Sequence, residues 1–103
     1  MKIIQKLSDR IEDEIKDGGS YAKLALEVRD MHPSLAEVLY SISVDEFKHM
    51  SMLHEQVVKL IEEYRKANGD PPPEMQARYD YLHERHIDLA KEAKIYQAMY
   101  RER

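Results

Sequence analysis

Met31-His32-Pro33-Ser34-Leu35-Ala36-Glu37 is the stretch on which the fold turns. Proline disfavours helix in the residue before it and suits the first turn of a new one, so one helix ends near His32 and another starts just after. Ser34 and Glu37 have the spacing of a capping box, in which each side chain satisfies a backbone donor of the other. Working outward, the next interruption is Asn68-Gly69-Asp70-Pro71-Pro72-Pro73. Gly69 suits the position just past a helix end, and the prolines cannot continue the helix. These breaks predict three helices, over about residues 3–30, 34–67 and 74–101. No segment alternates β-branched and polar residues with period two, so the fold class is all-α.

Length and composition agree with one small helical domain covering 1–103. Such a chain buries only about two-thirds of its unfolded surface, so its core is thin and oligomerisation helps it. Sixteen Lys+Arg against twenty Asp+Glu, a net charge of −4, argue against nucleic acid or an anionic membrane as partner. The charge-free run from Val38 to Val44 is far below the roughly 20 residues that span a bilayer. With no cysteine there is no disulfide, thiolate nucleophile or thiolate metal ligand. The expected location is the cytoplasm, or the interior of a protein compartment.

Each helix carries a seam of a/d type. The first runs Ile4, Leu7, Ile11, Glu14, Gly18, Tyr21, Ala25, Val28. The second runs Leu35, Leu39, Ile42, Glu46, His49, Leu53, Gln56, Leu60, and the third Met75, Tyr79, Leu82, His86, Leu89, Ala93, Tyr96, Tyr100. The short break makes the first two helices antiparallel neighbours. Folding about Met31-His32 brings Glu14 level with His49 and Tyr21 level with Ile42. Glu46 lies one turn from His49 on the same face, roughly 4–5 Å along the axis. Three ligand-type side chains, Glu14, Glu46 and His49, therefore converge in one cross-section.

A carboxylate in a core costs several kcal/mol unless it is paired or bound to metal. The nearest cations, Lys16, Lys23 and Lys48, lie off the seam. Either the glutamates hold protons at raised pKa, or a metal neutralises them. Carboxylate plus imidazole without thiolate suits iron or manganese, with zinc as a third candidate. Three ligands are few for such an ion. A two-fold pair of hairpins supplies four glutamates and two histidines, whose four negative charges balance two divalent ions.

Asp13-Glu14-Ile15 with Tyr21, followed by Asp45-Glu46-Phe47-Lys48-His49, resembles one half of the rubrerythrin and ferritin-like di-iron repeat. A single half in about a hundred residues is most similar to the encapsulated-ferritin type, a half-ferritin that rebuilds the four-helix bundle by dimerising. The resemblance covers roughly residues 10–60. It implies two Fe per dimer, held by Glu14, Glu46 and His49, with Glu46 bridging the metals. Tyr21, about 10 Å along the helix from Glu14, would orient a ligand carboxylate by hydrogen bonding across the bundle. The implied activity is ferroxidase chemistry: oxidation of Fe(II) by dioxygen or peroxide, for iron storage or detoxification. The implied partner is a second copy, in a dimer or a ring of dimers.

Two features depart from that pattern. Gly18-Gly19 follows Glu14 by one turn, and each Gly costs about 1 kcal/mol against Ala in a helix interior. The expected result is a kink or fray, or room for a partner helix. The chain closes on Tyr100-Arg101-Glu102-Arg103 without an apolar targeting tag, so a surrounding shell is not among the expected partners. His83 and His86, at i,i+3 spacing, are read as packing or surface residues, because no carboxylate is placed for them; a second metal site there is the alternative. His32 and His54 lie off the seams. The rival readings are a non-enzymatic helical interaction protein, whose buried Glu and His set pairing, and a di-manganese or mixed-metal redox enzyme with an organic substrate.

Overall fold

The computed structural model describes residues 2–102 as three helices. They are α1 (Lys2–Val28), α2 (Pro33–Asn68) and α3 (Pro73–Arg101). No strand occurs among the described residues. Both proline breaks act as expected, and the helix limits fall within two residues of those read from sequence. Pro33 opens α2, where its missing N–H leaves no helix bond unmade. At the other end Gly69, with φ 78°, donates its N–H to the Arg65 carbonyl. The capping box does not form: His32 is the residue that caps α2, and it makes no side-chain cap bond. Because the helix starts at Pro33, Ser34 already lies inside its first turn, past the capping position.

The molecule is a rod of 56 × 18 × 18 Å. Its helices run up, down and up. Glu14 meets His49 and Gly18 meets Phe47 across the α1–α2 pair, which is therefore antiparallel. Glu12 meets Arg85 and Gly19 meets Ala93, so α1 and α3 are parallel. α1 packs extensively on both neighbours, whereas α2 and α3 touch through a few side chains. Among these are the stacked rings of Tyr40 and Tyr100, 4.7 Å apart.

Packing α1 on two helices corrects its expected seam. Ile4, Ile11, Gly18 and Ala25 are buried as read. Between them, however, Ser8, Ile15 and Ala22 are the buried residues, and Leu7, Glu14, Tyr21 and Val28 are only half-buried. Residues seven apart share a helix face, so this second row lies on the flank of α1 away from the Glu12–Gly19 row that meets α3. The matching row of α2 is open too: Leu35 is 49% exposed, and Gln56 is also exposed. Of the expected α2 seam Leu39 is buried as read, and the rest of the α2 core is Ala36 and Ser43. In α3 the buried residues are Ala93, Gln97 and Tyr100, with the rest of the expected third seam half-buried.

Gly18-Gly19 does not fray the helix, which runs through it without a break. The two glycines admit both partners. A Cβ at Gly18 would sit 2.9 Å from the Phe47 ring, and one at Gly19 would sit 3.1 Å from Ala93 Cβ. At this level one buried polar chain ties all three helices. Ser43 of α2 donates its hydroxyl to the Gly18 carbonyl (2.6 Å) and accepts from the Gln97 amide of α3 (2.8 Å). A second tie closes the end of the rod, where Arg29 donates to the carbonyls of Met99, Tyr100 and Glu102. A cation there satisfies carbonyls that the α3 terminus leaves unpaired.

Ser43→Ala strips the buried Gln97 amide of its acceptor and should destabilise by about 1–3 kcal/mol. Adding Gln97→Leu should restore much of that loss, because no buried amide then lacks a partner. Urea unfolding of the two single variants and the double variant measures both effects. Equal or additive losses would show that the chain of bonds contributes little.

Candidate metal centre

Glu14 sits at the middle of α1, one turn before the glycine pair. Glu46 and His49 lie one turn apart on α2, directly opposite. Close approach at Gly18 sets their spacing, since Glu46 Cβ is 3.4 Å from where a Cβ on Gly18 would be. One ligand atom from each of Glu14, Glu46 and His49 falls within 4.8 Å of the other two. Among the described residues this is the one group of three or more His, Asp or Glu side chains that converges so closely. The hairpin register read from sequence is thus the register of the fold.

The electrostatics of the group are unresolved internally. Glu14 Oε2 is buried and has no hydrogen-bond partner while both carboxyls are ionised. The nearest cationic candidate is His49 Nδ1 at 3.7 Å, beyond hydrogen-bonding distance. Glu46 is pushed up to about 7, first by the hydrogen bond that its carboxyl shares with Glu14. Burial, the charge of Glu14 and the charge of Asp17 push the same way, and His49 opposes them. The nearby lysines are engaged elsewhere. Lys16 pairs with Glu12 at 3.3 Å, Lys48 pairs with Asp45 at 3.7 Å, and Lys23 lies over the Tyr96 ring. Two carboxyls and an imidazole with an orphaned oxygen form a donor set that a divalent cation would complete.

The centre is not a closed core site, as the seam had implied. The His49 side chain is 55% exposed and that of Glu14 27%. Both lie on the open α1–α2 flank, because α3 covers the other side of α1. Tyr21 lies on the row of Glu14 two turns later and packs against the Ala25, Ala36, Leu39 and Tyr100 cluster. Within one chain it belongs to that cluster.

Two participants were not singled out from sequence. Asp17, one turn after Glu14, was within reach of the i,i+3 rule. His54, read as off the seam, stacks on His83 of α3 with ring centres 5.6 Å apart. The break before α3 is as short as the one before α2, and counting residues about it sets His54 nearly level with His86 and a turn from His83; that count was the available signal. Comparison with family models, curated proteins and solved structures gives no match to the chain.

Because the folded-state value of Glu46 lies above its ordinary 4.5, this group stabilises the metal-free fold most below that pH. The contribution should be lost as pH rises through about 7. Glu46→Gln keeps the donor to Glu14 and removes the titration. The variant should therefore gain on the wild type as pH rises from 5 to 8, measured by denaturant unfolding in the presence of chelator. A stability difference that stays flat with pH would rule out the shared proton.

Proposed function

We propose that the chain is a di-iron carboxylate protein that binds Fe(II) at a dimer interface and oxidises it. The observation that carries this reading is the convergence of Glu14, Glu46 and His49 within 4.8 Å, with Glu14 Oε2 buried and unpartnered. Charge supports it: a carboxylate pair this close resists double ionisation, and a divalent cation relieves that repulsion more fully than one proton does. Hard oxygen donors also favour Fe(III) over Fe(II), which lowers the potential of bound iron and suits the metal as substrate.

The open flank supports a second copy as the missing half. Beside the three ligands stand Leu7, Tyr21 and Val28 on α1, and Leu35, Val38 and Ile42 on α2. Of these, Leu35 and Val38 are 49% and 55% exposed. Apolar rows next to an incomplete ligand set fit a two-fold partner that brings the same rows and a second set of ligands. α3 lies on the opposite flank and leaves this face open. In the resulting four-helix bundle, Tyr21 of one chain could reach the centre from across the interface.

In the reaction proposed, two Fe(II) ions each give up one electron. Dioxygen takes the pair with two protons to become hydrogen peroxide, or peroxide takes it with two protons to become water. Glu14 and Glu46 hold the substrate ions and balance the charge gained on oxidation. His49 contributes a neutral donor. Glu46 releases its proton as iron arrives, so binding weakens below about pH 7. Manganese and zinc would compete for the same donors. No helix is long and apolar enough to cross a membrane among the described residues.

Anaerobic loading with Fe(II), read as metal content together with solution mass, tests the proposal. About one iron per chain should be retained, in an even-numbered oligomer, and lost in Glu46→Ala. At hundredfold excess over Kd, Fe(II) should raise Tm by roughly 10 °C or more in the wild type and not in the variant. An oligomer that forms without stoichiometric iron, and melts unchanged with it, would leave the glutamates and histidine as pairing devices instead.

A further inference from the structure

Three of the five histidines in the sequence lie together on the side of the rod opposite the Glu14 group. His83 and His86 stand one turn apart on α3, and His54 reaches them from α2. All three line two adjoining cavities of about 320 and 360 Å³, which run along the groove between α2 and α3 over Ile11. The groove exists because α2 and α3 both pack on α1 and scarcely on each other.

Their arrangement is unusual for packing alone. His86 is nearly buried, its side chain 12% exposed, yet its Nε2 is enclosed without a hydrogen-bond partner. The nearest acceptor, Glu12 Oε1, is 3.6 Å away and already takes a 2.6 Å bond from Arg85. Buried polar atoms are rarely left unpaired, since each loses its water without replacement. The rings of His54 and His83 stack with centres 5.6 Å apart, so both imidazoles stand beside His86 within a side-chain rotation of a common point, although stacked rings do not aim their nitrogens at one ion.

We propose that His54, His83 and His86 form a second metal site, selective for a zinc-class divalent ion. The i,i+3 pair supplies two imidazoles from one helix face, and α2 supplies the third. Unlike the Glu14 group, these ligands converge only when His83 turns inward. That side chain is exposed, so the turn displaces no packed neighbour. Neutral imidazole is the ligating form, and the burial of His86 disfavours its charged form. Glu12, held ionised by Arg85, places a negative charge beside the site without being needed as a ligand. An all-nitrogen set distinguishes the two centres: borderline ions such as zinc or cobalt favour imidazoles, while iron as substrate favours the carboxylates. A bound ion would also clamp α2 to α3, where direct packing is sparse.

The test is Co2+ titration of the Glu46→Ala variant, which lacks the first centre, read by visible absorption and by competition with Zn2+. About one Co2+ per chain should bind, with the absorption of nitrogen-ligated tetrahedral cobalt. His83→Gln or His86→Gln in the same background should weaken it by more than about tenfold. His83 is exposed, so its variant keeps the fold, and unchanged helical circular dichroism verifies this. No Co2+ binding in Glu46→Ala, or binding unaltered by both histidine variants, would overturn the proposal. Since the carboxylate centre is absent throughout, either outcome leaves the Fe(II) reading to its own test.

Discussion

The structure depends on how closely α1 can approach two helices at once, and Gly18-Gly19 decides that. With no side chain at either position, α2 comes in over Gly18 and α3 over Gly19 at the same level of the rod. Ser43 then reaches the Gly18 carbonyl, and Gln97 reaches Ser43. Glycine in a helix interior carries a conformational penalty of roughly 1 kcal/mol per residue. Here contact on two sides offsets it. Ser43 is fully buried, so its bonds form away from competing water, and they fix one axial register for three helices.

That register also creates the tension at Glu14 and Glu46. Bringing α2 close at Gly18 sets two carboxyls face to face one turn away, with no lysine free to separate them. Elsewhere the chain settles its charges in ordinary ways. Glu12 is held by Arg85 and Lys16, and Arg29 closes the end of α3. Local rules are obeyed along most of the rod; at the Glu14 level an acid is pushed toward holding its proton and a buried oxygen is left without a donor, and Tyr79 and His86 each leave a buried polar atom unpartnered on the other side. Such inconsistencies collect at functional sites, because a fold optimised for stability alone would place apolar residues there.

The two long flanks of the α1–α2 hairpin have different fates. One takes α3, through Ser8, Ile15 and Ala22 on α1 and through Tyr40 and Ser43 on α2. The other stays open with Leu35, Val38 and Ile42 beside the carboxylates. A rod 18 Å across has little interior, so much of its apolar surface must either face water or meet another chain. The polar ligands lie in the middle of the uncovered flank, while the Ser43 chain sits under α3.

The three-helix layout and the Glu14–Glu46–His49 level were legible in the sequence for local reasons. Pro33 and the Gly69–Pro73 run end helices wherever they occur, and a short break forces an antiparallel hairpin whose register follows from counting residues. The capping box failed because Pro33 began the helix one residue earlier than Ser34 required. The buried row of α1 was misassigned for a different reason. Leu7, Glu14, Tyr21 and Val28 and the alternative Ser8, Ile15 and Ala22 both flank Ile4, Ile11, Gly18 and Ala25, and a single helix cannot say which side its third neighbour takes. The link before α3 is as short as the one before α2 and makes α3 antiparallel to α2, but it does not set which side of α1 the third helix takes. Only packing did: the glycine gap at residue 19, the Arg29 tie and the Ser43–Gln97 bond exist only once distant segments meet. The sequence determined which residues could gather at the carboxylate centre; tertiary structure decided which flank remained open to it and which histidines share the opposite groove.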